Sequence, residues 1–226
     1  MSMKIEVRQI QKKYRKKAVL KQASFAAESG MCVGILGSNG SGKSTLLSVL
    51  AGVQRPDGGE FLLDGTDLFQ KRRQQAELIG YIPQGTPLLE ELTAWDNLRL
   101  WYDKETLKRE LSDGALAMLG IDDFIKIRVS KLSGGMKKRL AIGCAVAHSP
   151  RILLLDEPSA ALDLVCKERL AAYFRRYKAE GGILILATHD TQELDLCDRW
   201  YILRDGFLVP YEYDGNVSRL ADQLSR

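Results

Sequence analysis

A glycine-rich loop between an apolar run and a helical segment constrains the fold more than any other feature of this sequence. Residues Gly37 to Ser44 have the spacing G-x-x-x-x-G-K-S, and Thr45 follows. The apolar run Cys32–Leu36 before the loop predicts a buried strand, and Ser44–Ala51 after it predicts a helix. The glycines let the backbone fold around an anion, and the helix N-terminus faces that anion with its positive end. The segment therefore predicts a phosphate-binding loop rather than a turn without a ligand.

Charged and polar side chains at two places predict nucleotide chemistry. In the loop, Lys43 can place a charge on the terminal phosphates, and the Ser44 hydroxyl can ligate Mg²⁺. Elsewhere, the apolar run Arg151–Asp156 ends in two carboxylates, Asp156 and Glu157. Ligands of open α/β sheets lie at the carboxyl ends of strands, so we predict that Asp156 holds Mg²⁺ and that Glu157 polarises an attacking water as general base. The alternative is that the acidic pair only caps the next segment.

The two histidines receive different interpretations. His189 follows the apolar run Ile183–Ala187, again at a predicted strand end. A lone histidine is more often structural than catalytic, but this position in a nucleotide-binding sheet favours a functional role. His148 stands at a predicted helix end before Pro150, and we interpret it as structural.

The remaining sequence alternates strand and helix patterns, which predicts an α/β fold with a mostly parallel sheet. From about Thr86 to Pro150 helical spacing takes over. There, Thr93 is predicted to cap a helix that begins at Ala94, and an amphipathic helix Lys104–Leu119 is predicted to stop at Gly120. Further strands are predicted at Lys4–Ile10, Val19–Ala27, Glu60–Leu63, Leu78–Pro83 and Gly182–His189.

A second candidate anion site lies at Leu132-Ser133-Gly134-Gly135, before a predicted helix Met136–Ala147. Ser133 is a suitable N-cap, the two glycines leave the helix start bare, and Lys137, Lys138 and Arg139 add positive charge nearby. One nucleotide cannot easily occupy both anion sites of one small subunit. A site shared between two copies, arranged head to tail, would use both.

Taken together, these motifs resemble those of an ATP-binding cassette (ABC) ATPase from about Met3 to Gly206. The resemblance implies a P-loop NTPase (RecA-like) core with an N-terminal antiparallel β subdomain and an inserted α-helical subdomain. It implies a single domain over residues 1–226, in which 1–85 and 151–226 form the catalytic lobe and 86–150 form the helical subdomain with the signature motif.

The same resemblance implies a role for each matched position. Tyr14 would stack on adenine with Val19 beside it, and Gln84 would contact Mg²⁺ and the attacking water and link to a membrane partner. Ser133, Gly134 and Gly135 would meet the ATP of the opposite subunit, Ser159–Asp163 would be the D-loop, and His189 would sense the γ-phosphate. The phosphate-binding loop itself would comprise Gly37, Ser38, Asn39, Gly40, Ser41, Gly42, Lys43, Ser44 and Thr45. Asp163 would contribute to nucleotide binding, and Ser44, Gln84 and Asp156 to the metal site.

One position departs from the pattern, because Met136 stands where the signature usually has Gln. Met here, followed by basic residues, is similar to ATPases of bacterial ABC-2-type exporters. The implied cofactors are ATP and Mg²⁺, and the implied partners are a second ABC subunit (identical or related) and integral membrane permease subunits. We expect the permeases to dock on Gln84–Thr93, where Leu88 and Leu89 are either exposed or locally packed.

Composition is consistent with this reading. The longest apolar stretch, Leu140–Ala147, is far shorter than the roughly 20 residues of a membrane-spanning helix, and no secretory signal is evident. The four cysteines form no CxxC pair. We therefore expect a cytoplasmic protein, held on the inner face of the membrane by permease subunits.

The net charge of +4 and the basic run Lys12–Lys17 leave nucleic-acid or acidic-lipid contact as an alternative to a solvated turn, but no nucleic-acid partner is expected. A soluble ABC ATPase acting on nucleic acid or the ribosome, and a cassette without ATPase activity, are the rival functions.

Overall fold

The computed structural model of the chain describes residues 3–15, 17–160 and 162–225. Lys16 of the basic run, Ala161 of the predicted D-loop and the N-terminal Met1 and Ser2 lie outside the described residues. Strands occupy β1 Lys4–Tyr14, β2 Lys17–Glu28, β3 Cys32–Leu36, β4 Gly58–Leu63, β5 Thr66–Asp67, β6 Ile79–Ile82, β7 Ile152–Asp156, β8 Ile183–Ala187, β9 Arg199–Arg204 and β10 Phe207–Tyr211. Helices occupy α1 Lys43–Leu50, α2 Arg72–Leu78, α3 Ala94–Arg99, α4 Lys104–Ser112, α5 Ala115–Met118, α6 Gly134–Ala145, α7 Leu164–Ala179, α8 Thr191–Leu194 and α9 Val217–Ser225.

The described strands form two sheets, which confirms the predicted α/β class. One sheet is antiparallel, in the order β2-β1-β4-β5. The other has the order β10-β9-β3-β8-β7-β6, and its neighbours are parallel except for the β9–β10 hairpin. Every residue of β3, β7 and β8 is buried, as expected for strands covered on both faces. Their carboxyl ends therefore open at one edge of the sheet.

Two large apolar clusters pack on this framework. The first fills the space between the antiparallel sheet, α1 and one face of the parallel sheet, around Ile5, Leu46 and Phe61. The second joins the other face of the parallel sheet to α3–α7, around Leu98, Leu140 and Phe174. Each buried leucine-sized side chain contributes about 1.5–3 kcal/mol relative to exposure. Among the helices of the described residues, none combines the length and the apolar character needed to span a membrane.

The predicted helix Lys104–Leu119 is wrong as a single element. The first helix, α4, ends at Ser112, and α5 begins after Gly114, whose backbone is extended. Ser-Asp-Gly has low helix propensity, and the Glu110 carboxylate folds back to accept a hydrogen bond from the Ala115 amide at 2.9 Å. The prediction that Thr93 caps α3 is confirmed, because its side chain and that of Asp96 form a capping box.

Two predicted boundaries are also wrong, by two residues at a helix start and by four at a strand end. The helix predicted to begin at Met136 begins at Gly134, because the Ser133 hydroxyl accepts a hydrogen bond from the Met136 amide and starts the helix before the glycines. Strand β1 continues to Tyr14 rather than Ile10, through irregularities in its pairing with β2.

Candidate nucleotide site

Four parallel strands deliver the predicted site residues to one edge of the sheet. Strand β3 leads into the Gly37 loop, β6 into Gln84, β7 into Asp156 and Glu157, and β8 into His189. Between them lies a pocket of about 740 Å³. Among its lining residues are the predicted Val19, Asn39, Gly40, Gly42, Lys43, Ser44, Thr45, Gln84, Glu157 and His189. These side chains thus lie around one cavity at the carboxyl ends of the strands, as predicted.

The backbone of the loop leaves room for an anion. Gly42 is the N-cap of α1, has φ +112° and makes no side-chain cap, so the helix starts with bare amides. A Cβ at Gly42 would lie 2.8 Å from Val19 Cγ1, and one at Gly37 would lie 2.6 Å from Ser41 Oγ. The Ser41 hydroxyl is buried and finds no hydrogen-bond partner among the described residues. A phosphate group in this cradle would supply acceptors for the amides and the hydroxyl, so the loop fits the triphosphate of a nucleotide.

The ammonium group of Lys43 is held inside the loop. It is 6 % exposed and donates hydrogen bonds to the carbonyls of Gly37 at 2.7 Å and Ser38 at 3.2 Å. Burial lowers the pKa of Lys43, and the carboxylates Glu157 and Asp156 oppose that shift. The charge is therefore positioned at the floor of the pocket, facing the two acidic residues.

Glu157 and Gln84 contact each other across the pocket. Gln84 Nε2 donates a hydrogen bond to Glu157 Oε2 at 3.1 Å. The Glu157 backbone has φ +48°, in the left-handed region, and its amide donates to the Ala187 carbonyl at 2.8 Å. A non-glycine residue in this conformation costs about 1–3 kcal/mol and is found preferentially at functional sites. In this conformation the Glu157 carboxylate reaches Gln84 on the other side of the pocket.

The donors available for a metal are few. Asp156 is 2 % exposed at the end of β7, whereas Ser44 and Gln84 are exposed. Within the described ranges, no group of three or more His, Cys, Asp or Glu residues could hold a metal ion. Mg²⁺ characteristically uses one or two carboxylates together with substrate phosphates and water rather than a cage of protein ligands. The three residues therefore fit a Mg²⁺ ion that arrives with a nucleotide.

His189 lies at the rim of the pocket with its imidazole partly exposed. Its pKa is lowered, first by partial burial and then by the charge of Lys43, while Glu157 acts in the opposite direction. The shift favours the neutral ring, which can donate one hydrogen bond to a ligand oxygen. His148, in contrast, is exposed in the turn after α6 and does not line the pocket.

Strand-end reasoning missed residues that come from helices and their flanks. Lys167 of α7 forms an ion pair with Asp190, the N-cap of α8, at the pocket wall. Glu193 of α8 is 4 % exposed, and burial raises its pKa although the hydroxyls of Ser159 and Thr188 oppose the shift. The only available signal was their proximity in sequence to predicted loops.

Several predicted nucleotide contacts do not line this pocket. Tyr14 is 43 % exposed at the β1–β2 hairpin, where its hydroxyl bonds to Gln54. Asp163 caps α7 by accepting a hydrogen bond from the Cys166 amide at 2.8 Å, which lowers its pKa. Ser133, Gly134 and Gly135 form the solvent-facing start of α6, away from the chain's own phosphate loop.

The three basic residues after Met136 do not gather at that helix start, so this expectation is wrong. Lys137 pairs with Glu90 at 2.7 Å. Lys138 points inward to carbonyls beside the nucleotide pocket. Arg139 donates to the carbonyls of Leu119 and Gly120 at 2.7 and 3.1 Å. Consecutive helical residues point about 100° apart, so three in a row cannot serve one anion.

Comparisons with known proteins identify one family. The family described as "ABC transporter" matches residues 20–160. The lipoprotein-releasing system ATP-binding protein LolD of Porphyromonas gingivalis is 38 % identical over 216 residues, covering 91 % of this chain and 99 % of that protein. The Nod factor export ATP-binding protein I of Sinorhizobium fredii is 35 % identical and covers 89 % of this chain and 60 % of that protein. A solved dimer of an ATP-binding cassette in a post-hydrolysis state with ADP and Pi has a TM-score of 0.82 at 26 % identity, covering 92 % of this chain and 98 % of its own.

Proposed function

Since this chain belongs to the ABC transporter family of ATP-binding proteins, we propose that it closes head to tail with a second cassette around two ATP molecules. The chain is the ATP-binding and ATP-hydrolysing subunit of an ABC transporter. ATP hydrolysis is supported by the meeting of the phosphate loop, the Gln84–Glu157 pair and His189 in one pocket at the carboxyl edge of the sheet, and closure is supported by a second helix start, at Ser133, that lies outside this pocket.

Hydrolysis follows from the geometry of that pocket. The loop amides and Lys43 bind the β- and γ-phosphates, and Asp156, Ser44 and Gln84 would hold Mg²⁺. When bound, Mg²⁺ supplies positive charge to the phosphate oxygens. Glu157, oriented by its hydrogen bond with Gln84, accepts a proton from water as the water oxygen bonds to the γ-phosphorus. The bond from that phosphorus to the bridging oxygen breaks, and ADP keeps the electron pair.

Closure would use the second anion site. Ser133, Gly134 and Gly135 are exposed or half-buried at the start of α6 and lie outside the chain's own pocket. A partner cassette would present its γ-phosphate to these groups, and Asp163 and Ser159 would face the same interface. Because these contacts need the γ-phosphate, ATP binds the closed dimer better than the open one, and hydrolysis releases it. The solved cassette that is dimeric with ADP and Pi bound supports dimerisation.

Transport requires a permease partner, and an apolar surface near Gln84 offers a place for it. Leu89 is 49 % exposed, and Leu100 and Trp101, directly after α3, are 59 % and 63 % exposed. Leu88 instead packs against the helical core. Reciprocal hydrogen bonds between Leu89 and Asn97, at 2.9 and 3.0 Å, hold the Gln84–Thr93 segment against α3. Docked there, the chain would sit at the cytoplasmic face of a membrane.

The two parts of the chain would have different roles. Residues 1–85 and 151–226 would form the lobe that binds and cleaves ATP, with Tyr14 and Val19 against the adenine. Residues 86–150 would form the helical part that meets both the permease and the partner's nucleotide.

The dimer can be tested with an ATP-trapped variant. Glu157→Gln should slow hydrolysis and shift the protein from monomer to dimer on size-exclusion chromatography when MgATP is added. The double variant E157Q/S133R should bind ATP with similar affinity but remain monomeric, because the arginine side chain blocks the helix start. If E157Q/S133R dimerises like E157Q, Ser133 does not lie at the closure interface.

A further inference from the structure

A buried lysine on α6 lies between the hydrolysis site and the helix start that is proposed to meet the partner's ATP. Lys138, on α6, is 5 % exposed. Its ammonium group lies 3.1 Å from the Pro83 carbonyl, 3.4 Å from the Gln84 carbonyl and 3.4 Å from the Asp156 carbonyl. The first two acceptors belong to the loop after β6, and the third belongs to the last residue of β7. One side chain therefore spans a helix, a loop and a strand end.

A charged side chain as buried as that of Lys138 indicates a functional role rather than packing alone. Burying an ammonium ion costs several kcal/mol unless hydrogen bonds compensate, and an apolar residue would satisfy packing alone. Two of the three carbonyl acceptors belong to Gln84 and Asp156, the residues whose side chains are proposed to contact the metal and water, and the third belongs to Pro83, next to Gln84. Lys138 thus fixes the backbone on both sides of the Gln84–Glu157 hydrogen bond.

The position of Lys138 on α6 adds a second connection. It lies one helical turn after Gly134, in the helix whose first residues are proposed to meet the partner's ATP. A displacement of Ser133 or Gly134 on binding that ATP would move the Lys138 ammonium relative to Gln84. Leu140 and Ile142 of the same helix are buried in the core, so Lys138 and the helix start belong to one packed element.

We propose that Lys138 is a positioning residue that couples the two nucleotide sites of the dimer. It ties the Gln84 loop and the Asp156–Glu157 strand end of one site to the Ser133–Gly135 helix start used by the other. The inference rests on the proposed head-to-tail dimer. It concerns the coupling between sites and not the binding of ATP by the phosphate loop, which Lys138 does not touch.

The test compares Lys138→Met, Lys138→Gln and the control Lys108→Met, which changes an exposed lysine on α4. Methionine removes all three hydrogen bonds, and glutamine restores a shorter neutral donor. We expect kcat for MgATP hydrolysis to fall roughly tenfold in K138M, with KM for ATP within about twofold of wild type. The Hill coefficient should fall from near 2 to about 1. K138Q should recover part of both losses, and K108M should behave as wild type.

Two outcomes would overturn the inference. The first is a kcat and a Hill coefficient in K138M and K138Q equal to those of K108M. The second is loss of ATP binding and of thermal stability in step with kcat, which would assign Lys138 a structural role only. If K138M does not fold, K138Q decides by the same readouts. Failure of the head-to-tail dimer itself would appear separately, as a wild-type Hill coefficient of about 1 together with a monomeric E157Q protein in ATP.

Discussion

Replacing Glu157 by Gln isolates the proposed general base with little change in shape. The side chain keeps its volume, its hydrogen bond with Gln84 at 3.1 Å can be retained by an amide oxygen, and the φ of +48° is set by the backbone around it. General-base catalysis contributes about 10²–10⁴-fold. At about 1.4 kcal/mol per tenfold, the variant should lose roughly 3–5 kcal/mol of transition-state stabilisation.

The stability of E157Q should change far less. Glu157 is half-buried, and Lys43 keeps the second carboxylate, Asp156, as an electrostatic partner. We expect a change of less than about 1 kcal/mol in the free energy of unfolding. The size difference between the two effects separates a catalytic role from a structural one.

Steady-state phosphate release with MgATP measures kcat, and urea denaturation measures the free energy of unfolding. The matched control is Glu77→Gln, which removes a carboxylate paired with Arg73 at 2.9 Å on the exposed face of α2. E77Q should leave kcat unchanged. A loss of less than about tenfold in E157Q would refute the assignment, since a general base contributes at least about a hundredfold. A kcat loss accompanied by an equal loss of ATP binding would also refute it.

Three further predictions test the loop, the helical core and the electrostatics. Gly42→Ala and Gly40→Ala both force alanine into the left-handed region, at roughly 1–2 kcal/mol. Only Gly42→Ala also places a Cβ 2.8 Å from a neighbouring side chain, so its melting temperature without ATP should fall further. Arg139→Met should lower the free energy of unfolding by roughly 2–4 kcal/mol in urea titrations, because two buried carbonyls lose their donor and the guanidinium leaves an aromatic face at 5.0 Å. NMR should give His189 a titration midpoint below the ordinary value of about 6.5. The midpoint should fall further in E157Q, since the carboxylate that favours the protonated ring is gone; an upward shift would contradict this.

Features governed by local sequence were predictable. The run Cys32–Leu36 is the observed strand β3, because five apolar residues directly before a glycine loop fit a strand buried on both faces. The Thr93 cap was predictable for the same reason, since capping uses groups within one turn. The meeting of Lys43, Glu157 and His189 needed only one non-local rule, that parallel strands end at one edge of the sheet.

Features that depend on tertiary contacts were not predictable from the sequence. The amphipathic pattern of Lys104–Leu119 persists across the break at Gly114, because both α4 and α5 bury leucines in the same cluster. Periodicity reports which face is buried and not whether the axis is continuous. The break is stabilised by the Glu110 carboxylate, which accepts a hydrogen bond from the Ala115 amide at the start of α5. A contact between residues five apart has no sequence signature as regular as that of a capping box.

The three basic residues after the signature motif show where the limit lies. Their positions in the helix establish that the three side chains point in different directions. Only the surrounding fold determines which of the three charges is buried. Lys137 reaches an exposed carboxylate, whereas Lys138 reaches carbonyls that a solvent-facing lysine would never meet. An ammonium ion is tolerated at that depth because the loop after β6 and the end of β7 offer carbonyl oxygens as acceptors, where the strands stop to form the nucleotide site. The coupling role proposed for Lys138 therefore arises from the same geometry that builds the pocket.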